Sequence, residues 1–239
     1  MREFEFIVTY DRGADPIADV FITYPQLMSK SLTCTVTTDS IWHLDRIAGP
    51  EEALTALDDV FLDPKHCNEC LDAEHCQTDW EYEVISRGTT SRTVYAYGTE
   101  ADDCHSIPHL AATHIGEGLL YDTAQKGDQY TWRILMPDDA KVGELHDAID
   151  SEMRDGLRMT LNHLSDPTHW GDDVVSLADV PYEQRELIKE AVARGYYETP
   201  RGITTQELAE ELGLPQSTVQ YRLARAEAWL ATRFTKEIM

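Results

Sequence analysis

The most specific chemistry in this chain lies in its five cysteines. Cys67 and Cys70 form a C-x2-C pair, Cys76 follows after an x5 spacer, and His66 and His75 stand directly before the first and last of the three. A C-x2-C turn brings two thiolates within reach of one ion, as zinc sites and iron–sulfur clusters both require. A fourth ligand must then come from elsewhere. Cys104, in the loop-like segment DDCHS beside His105, is the first candidate. Cys34 is the second, although its alternation with Leu32 and Val36 on a strand also fits a buried, inert thiol. His66, His75 and His105 are lesser candidates. Structural zinc sites usually carry a second paired knuckle, which is missing here. Three clustered cysteines with a remote fourth lean toward an iron–sulfur cluster, with Zn2+ the close alternative. A bare redox pair at Cys67 and Cys70, or thiols that bind nothing, are the remaining readings.

No G-x-S-x-G, H-E-x-x-H, P-loop or G-x-G-x-x-G occurs, and no residue is assigned a catalytic role. A metal-dependent enzyme built on the cysteine–histidine cluster, with Glu69 or Glu74 as base, is the remote alternative.

A second constellation lies near the C-terminus. Thr204-Thr205-Gln206-Glu207 has the T-x-x-E form of a capping box. It opens a short helix ending at Gly213, where glycine tolerates the positive φ of a C-terminal turn. After Pro215, Val219, Leu223, Ala226 and Leu230 recur at helical spacing and form a buried stripe. An earlier helix, Tyr182–Arg194, supplies Leu187, Ile188 and Val192. A capped helix, a Gly turn and a second helix with a polar start make a helix-turn-helix, whose second helix enters the major groove. Its exposed residues are expected to be Gln216, Ser217, Thr218, Gln220, Tyr221, Arg222 and Arg225, with Gln suited to adenine and Arg to guanine or phosphate. Thr204 and Thr205 would offer backbone N–H groups to a phosphate. An αα-hairpin with a solvated polar face is the plain alternative.

Tyr196-Tyr197, Pro200-Arg201, Leu208-Ala209, Leu212-Gly213 and Arg222-Leu223-Ala224-Arg225-Ala226-Glu227 together resemble the helix-turn-helix of bacterio-opsin-activator-type regulators of haloarchaea. Pro215 departs from that pattern, which usually has a Ser cap there. The resemblance covers about 50 residues and implies sequence-specific regulation of transcription with double-stranded DNA as partner. The cysteine arrangement is similar to that of oxygen-sensing iron–sulfur regulators, which implies a sensing role. A homodimer is expected because operators usually present symmetry-related half-sites.

These residues need elements to hold them. Phe4, Phe6 and Val8 alternate as a half-buried strand, a short helix is expected over Asp19–Met28, and Leu32, Cys34 and Val36 share a strand face partnered by Ile41–Ile47. Glu51–Leu62 reads as a helix, Trp80–Ser86 with Thr93–Tyr97 as a hairpin, and Ser106 as the cap of a helix with Pro108 in its first turn. Leu119–Thr123 with Tyr130–Leu135, a helix over Asp139–Met153 and a strand over Leu157–Leu164 complete the pattern. Trp42, Trp80 and Trp132 are assigned to the core. The result is α+β: an antiparallel-sheet, ferredoxin-like sensor domain over 1–164, a polar linker over 165–180, and an all-α helix-turn-helix domain over 181–239.

The 239 residues carry 20 basic and 44 acidic side chains, a formal charge of −24. From Pro181 onward eight basic residues meet nine acidic ones, so the excess of carboxylates sits almost wholly in the body. Arg outnumbers Lys 14 to 6, and with abundant Asp this composition is similar to that of proteins from salt-accumulating archaea. At about 1 M salt, screening over ~3 Å would leave DNA little repelled by the body. No apolar run is long enough for a membrane span and no signal peptide is evident, so a cytoplasmic protein without a membrane partner is expected.

Overall fold

The structure, a computed structural model, describes residues 1–37, 39–71, 76, 78–99, 104–137, 141–167 and 180–238, with side chains in the last helix through 232. It divides into two compact units, Met1–Trp170 and Gly171–Met239, and the break falls within the expected linker, of which 168–179 lie outside the described residues.

The first unit runs β1 (Arg2–Tyr10), α1 (Pro16–Thr23), β2 (Met28–Val36), β3 (Ser40–Ala48), α2 (Glu51–Phe61), β4 (Asp79–Arg87), β5 (Ser91–Thr99), α3 (Ile107–His114), β6 (Leu120–Lys126), β7 (Gln129–Met136), α4 (Val142–Glu152) and β8 (Leu157–Ser165). All eight strands join one antiparallel sheet in the order β4-β5-β3-β2-β6-β7-β1-β8. The chain is therefore two successive β-α-β-β-α-β units. In a ferredoxin-like unit the first strand lies between the fourth and the third. Here β5 takes that place in the first half and β1 takes it in the second, so the halves exchange their first strands. Among the described residues, only the short pairing of Met28–Lys30 with Ala124–Lys126 joins the two half-sheets.

Local sequence explains each element. Phe4, Phe6, Val8 and Tyr10 alternate into the core of the second half with Trp132, Ile134, Leu145 and Ile149. Ile17, Phe21, Leu54, Leu57 and Phe61 bring α1 and α2 onto the first half. The first helix starts earlier than expected, because the buried Asp15 carboxylate accepts from the amides of Ile17 and Ala18 and Pro16 fits the first turn. It ends at Thr23, and 24–27 lead into β2. Leu32 leaves the Cys34 face: a bulge between Ser31 and Thr33 shifts the register and exposes it. Trp80 and Trp132 are buried as expected, but Trp42 is 37% exposed, since the inward face of β3 belongs to Ile41, His43, Asp45 and Ile47. On the opposite face, the Arg133 guanidinium ties β1 to β6 by donating to Glu3 at 2.7 Å and Asp122 at 2.9 Å.

In the second unit, α5 (Tyr182–Ala193), α6 (Thr205–Leu212) and α7 (Gln216–Ile238) close around Leu187, Ala191, Ile203, Leu208, Ala209, Val219 and Leu223. Val192 is exposed rather than buried; Ala191 takes the inward place. The capping box forms: the Thr204 side chain accepts from the Glu207 amide and the Glu207 carboxylate accepts from the Thr204 amide. Gly213 ends α6 at φ 63°, and the amide of Leu214 donates back to Ala209. Leu208→Ala should lower the stability of this unit by about 2–5 kcal/mol, measured by denaturant unfolding. A loss under about 1 kcal/mol would mean that these helices do not share one core.

Candidate metal centre and nucleic-acid interface

The hairpin of β4 and β5 pairs Asp79 with Thr99, so the segment leading into β4 and the segment leaving β5 lie at the same end. The first carries Cys67, Cys70 and Cys76 and the second carries Cys104. Cys70 forms an antiparallel bridge with Ser106, and the Leu71 amide donates to the His105 carbonyl at 3.1 Å. The Sγ atoms of Cys67, Cys70 and Cys76 all lie within 4.8 Å of one another. Cys104 lies outside that group of three: its Sγ donates to Ser106 Oγ at 3.1 Å, and its thiol interacts electrostatically with those of Cys67, Cys70 and Cys76. Three of the five cysteines thus cluster, and the backbone of Cys70 and Leu71 lies against the segment that carries Cys104.

The four thiols shift one another in opposite directions. Hydrogen bonds with Cys104 and the other two thiols push the Cys67 thiol up, and Cys70 rises chiefly through Cys104. The same contacts hold Cys76 and Cys104 down. The side chains of Cys67, Cys70, Leu71, Trp80, Ile107 and Cys104 share one core.

The remaining candidates go elsewhere. Cys34 is buried on β2, and desolvation pushes its thiol up, helped by the charges of Glu69 and Asp45. His66 Nε2 lies 3.6 Å from Asp15 and His105 Nδ1 lies 2.8 Å from Glu152, so both face carboxylates. His75 and Glu74 lie outside the described residues.

Several groups that hold this loop carry no mark in the sequence pattern. Asn68 donates to the Phe61 carbonyl at 3.0 Å, and Tyr82 donates to the His66 carbonyl at 2.8 Å. Glu69, between the paired cysteines, turns into the protein and accepts from Tyr130 at 3.3 Å. Its carboxyl lies 3.8 Å from His43 Nε2, while His43 Nδ1 lies 2.6 Å from Asp45. Burial raises the Glu69 carboxyl, partly countered by His43. Burial alone would lower the His43 ring, but Asp45 and Glu69 outweigh it and lift the ring to about 9. The one available signal was the alternation of β3, which sets His43 and Asp45 on the same face as Ile41 and Ile47. A further cluster of Glu3, Glu5 and His163 lies on β1 and β8, where Arg133 pairs with Glu3 at 2.7 Å and faces Glu5 at 3.8 Å.

In the helical unit, Pro215 accepts from the amides of Thr218 and Val219 and so starts α7 without a Ser cap. Gln216, Ser217, Gln220, Tyr221 and Arg225 are exposed on its leading turns, and Thr218 is half-buried. Arg225 donates to the Tyr221 hydroxyl at 3.0 Å. Arg222 departs from the exposed set: it turns back to Glu183 of α5 at 2.9 Å. Thr204 is exposed, but its amide is taken by the Glu207 carboxylate, so it offers no N–H to a phosphate. Thr205 is half-buried, with its hydroxyl 3.3 Å from that of Tyr196, and its amide is not used by the capping box.

An α+β body joined in one chain to a helix-turn-helix with a polar leading edge defines a DNA-binding protein. Residues 182–232 match the family model described as HTH DNA binding domain, and residues 3–170 match the one described as HVO_2928_N, N-terminal. The chain belongs to this HVO_2928_N family, with a helix-turn-helix DNA-binding domain at its C-terminal end. It is 28% identical over 197 residues to a dimethyl sulfoxide reductase transcriptional activator of Haloferax volcanii, covering 78% of this chain and 80% of that one. A Halobacterium salinarum protein of the same description is 46% identical over 65 residues, 27% of this chain and 28% of that one. The resemblance to bacterio-opsin-activator-type regulators is met, and the chain is a transcriptional regulator with a helix-turn-helix DNA-binding domain. Among the described residues no helix is long and apolar enough to cross a membrane.

Because its folded pKa is raised, His43 stabilises the fold fully below pH about 6.5, and this contribution fades as pH rises through about 9. The loss should approach about 3 kcal/mol. Denaturant unfolding from pH 6 to 10 should show this decline, and His43→Gln should flatten it. An equal slope in both proteins would refute the assignment.

Proposed function

We propose that the four cysteines Cys67, Cys70, Cys76 and Cys104 hold a metal centre, iron–sulfur or Zn2+, whose loading or oxidation sets how the helix-turn-helix unit binds its operator. The observation that carries this reading is the cluster of three sulfurs from one loop, mostly buried, with the segment of Cys104 bridged to the backbone of Cys70. Asn68, Glu69 and Tyr82 fix the loop so that the thiols point together. A bound centre would supply a charge and a redox state to sense. The residues that read bases are Gln216, Ser217, Thr218, Gln220 and Tyr221, with Arg225 on phosphate or guanine. The chain works as a homodimer on symmetric half-sites in the cytoplasm and, like the Haloferax relative by its description, activates transcription. A second reading is a structural zinc staple, favoured by the burial of Cys67, Cys70 and Cys104 and requiring that Cys104 close the fourth position, since structural zinc leaves none open.

Anaerobic purification with visible absorbance spectra, elemental analysis and DNA affinity before and after oxidation tests the proposal. A coloured protein with iron and sulfide, whose affinity shifts on oxidation, supports the sensing centre. Colourless protein with one zinc per chain and unchanged affinity overturns sensing and leaves the staple. Cys67→Ser with Cys70→Ser should remove the metal: a sensor stays folded in one DNA-binding state, whereas a staple unfolds.

Arg225→Ala should weaken binding to all sequences and reduce the salt slope by about 1. Gln216→Ala or Gln220→Ala should relax preference at one base pair by about 1–3 kcal/mol. Competition assays across operator variants check both; preference unchanged in every variant would argue against base reading by this edge.

A further inference from the structure

The cysteine centre is gripped from both sides by one short segment. Arg154, in the turn between α4 and β8, donates to the carbonyls of Cys70 at 2.8 Å and Leu71 at 2.7 Å. Its other edge donates to the Asp15 carboxylate at 2.9 Å and the Ala14 carbonyl at 3.2 Å. Two residues earlier, at the end of α4, Glu152 pairs with His105, the neighbour of Cys104, at 2.8 Å. Residues 152–154 therefore touch the backbone beside Cys70 and the side chain beside Cys104.

The turn just past Arg154 is equally constrained. Gly156 stands at φ 88°, and a Cβ there would meet the Ala14 Cβ at 2.8 Å, so this turn is tightly seated against the start of α1. Leu157 then begins β8, the edge strand of the sheet, which among the described residues pairs with β1 alone. Beyond the buried Leu157 this strand is mostly exposed, and its register shifts opposite Glu5 and Phe6. An edge strand with few buried contacts and a bulge is the part of a sheet that shifts at least cost. β8 also leads, through residues 166–180, into the DNA-binding unit.

We propose that Glu152 and Arg154 are positioning residues that transmit the state of the cysteine centre to β8. This rests on the reading of that centre as regulatory and names the route of its output. When the loop carrying Cys70 and Leu71 moves, the guanidinium loses its carbonyl acceptors; when the Cys104 loop moves, Glu152 loses His105. Either event frees the turn that sets the start of β8 and hence the segment to which the helix-turn-helix unit is tethered. Arg suits this post because one planar fork serves several acceptors at fixed angles, which a lysine ammonium cannot do.

The test uses the full chain, reconstituted with iron and sulfide or with zinc, and then stripped by chelator. Metal content and operator affinity are measured in both states for the wild type, Arg154→Gln, Arg154→Lys and Glu152→Gln. The wild type should differ by roughly tenfold or more between states, within the usual range of coupling between sites. Arg154→Gln and Glu152→Gln together should bind the same metal per chain, with the affinity ratio reduced to within about twofold, and Arg154→Lys should recover part of it. Full metal with an unchanged ratio overturns the inference, as does loss of metal in these variants, which would make them mere supports of the site. A wild type with metal but no ratio at all defeats the regulatory reading itself, and so is distinguishable. Hydrogen exchange on the wild type supplies a check free of variants: amides of 153–165 should lose protection on stripping, and protection unchanged there would also refute the route.

Discussion

The body depends on the exchange of first strands between its two halves. β1 completes the second half-sheet and β5 completes the first, while direct pairing across the seam is limited, among the described residues, to three residue pairs between β2 and β6. Neither half has a full sheet without the other, so the halves are one cooperative object and not two domains in series. The exchange also decides where chemistry can assemble. With β5 beside β4, the segment that carries Cys104 ahead of α3 lies at the same end as the loop before β4, and Ser106 bridges to Cys70 there.

The centre sits above a buried polar layer that a purely apolar core would lack. His43, Asp45, Glu69 and Tyr130 bring an imidazole, two carboxyl groups and a phenol into the interior, where unpaired charge is costly and paired charge demands defined geometry. Glu69 belongs to the C-x2-C turn itself, so the geometry of the thiols and the electrostatics of the sheet are set by one residue. The acidic surface and this interior obey different rules: outside, carboxylates face solvent and salt; inside, each is matched by an arginine, a histidine, a hydroxyl or an amide.

Much of this was legible in the residues. Period-two alternation located β1, β3 and both hairpins, and Pro50, Ser106 and Thr204 marked helix starts because each solves a backbone problem at that spot. The helix-turn-helix was legible because its core stripe and capping box are local. What escaped was non-local or compensated. The bulge that exposes Leu32 depends on cross-strand register, and Trp42 could not be told from a core tryptophan without knowing which face of β3 is covered. Arg222 and Thr204 looked available to DNA because their partners, Glu183 and Glu207, win only once the helices are packed. The strand exchange itself leaves no mark in hydrophobic periodicity, since a strand has the same pattern whichever half it joins. Arg154 could not have been singled out, because its acceptors, three main-chain carbonyls and the Asp15 carboxylate, lie 83 to 140 residues distant in sequence.

The long reach of β1 has a bearing on how the protein is made. Arg2 pairs with Met136 and Glu3 with Ser165, so during synthesis β1 waits for nearly the last of the body before both its edges are satisfied. Until then Phe4, Phe6 and Val8 lack their burial partners, a situation that slows folding and invites chaperones. The nascent body would thus mature late, whereas the three C-terminal helices, whose contacts are short-range, can close as soon as they emerge.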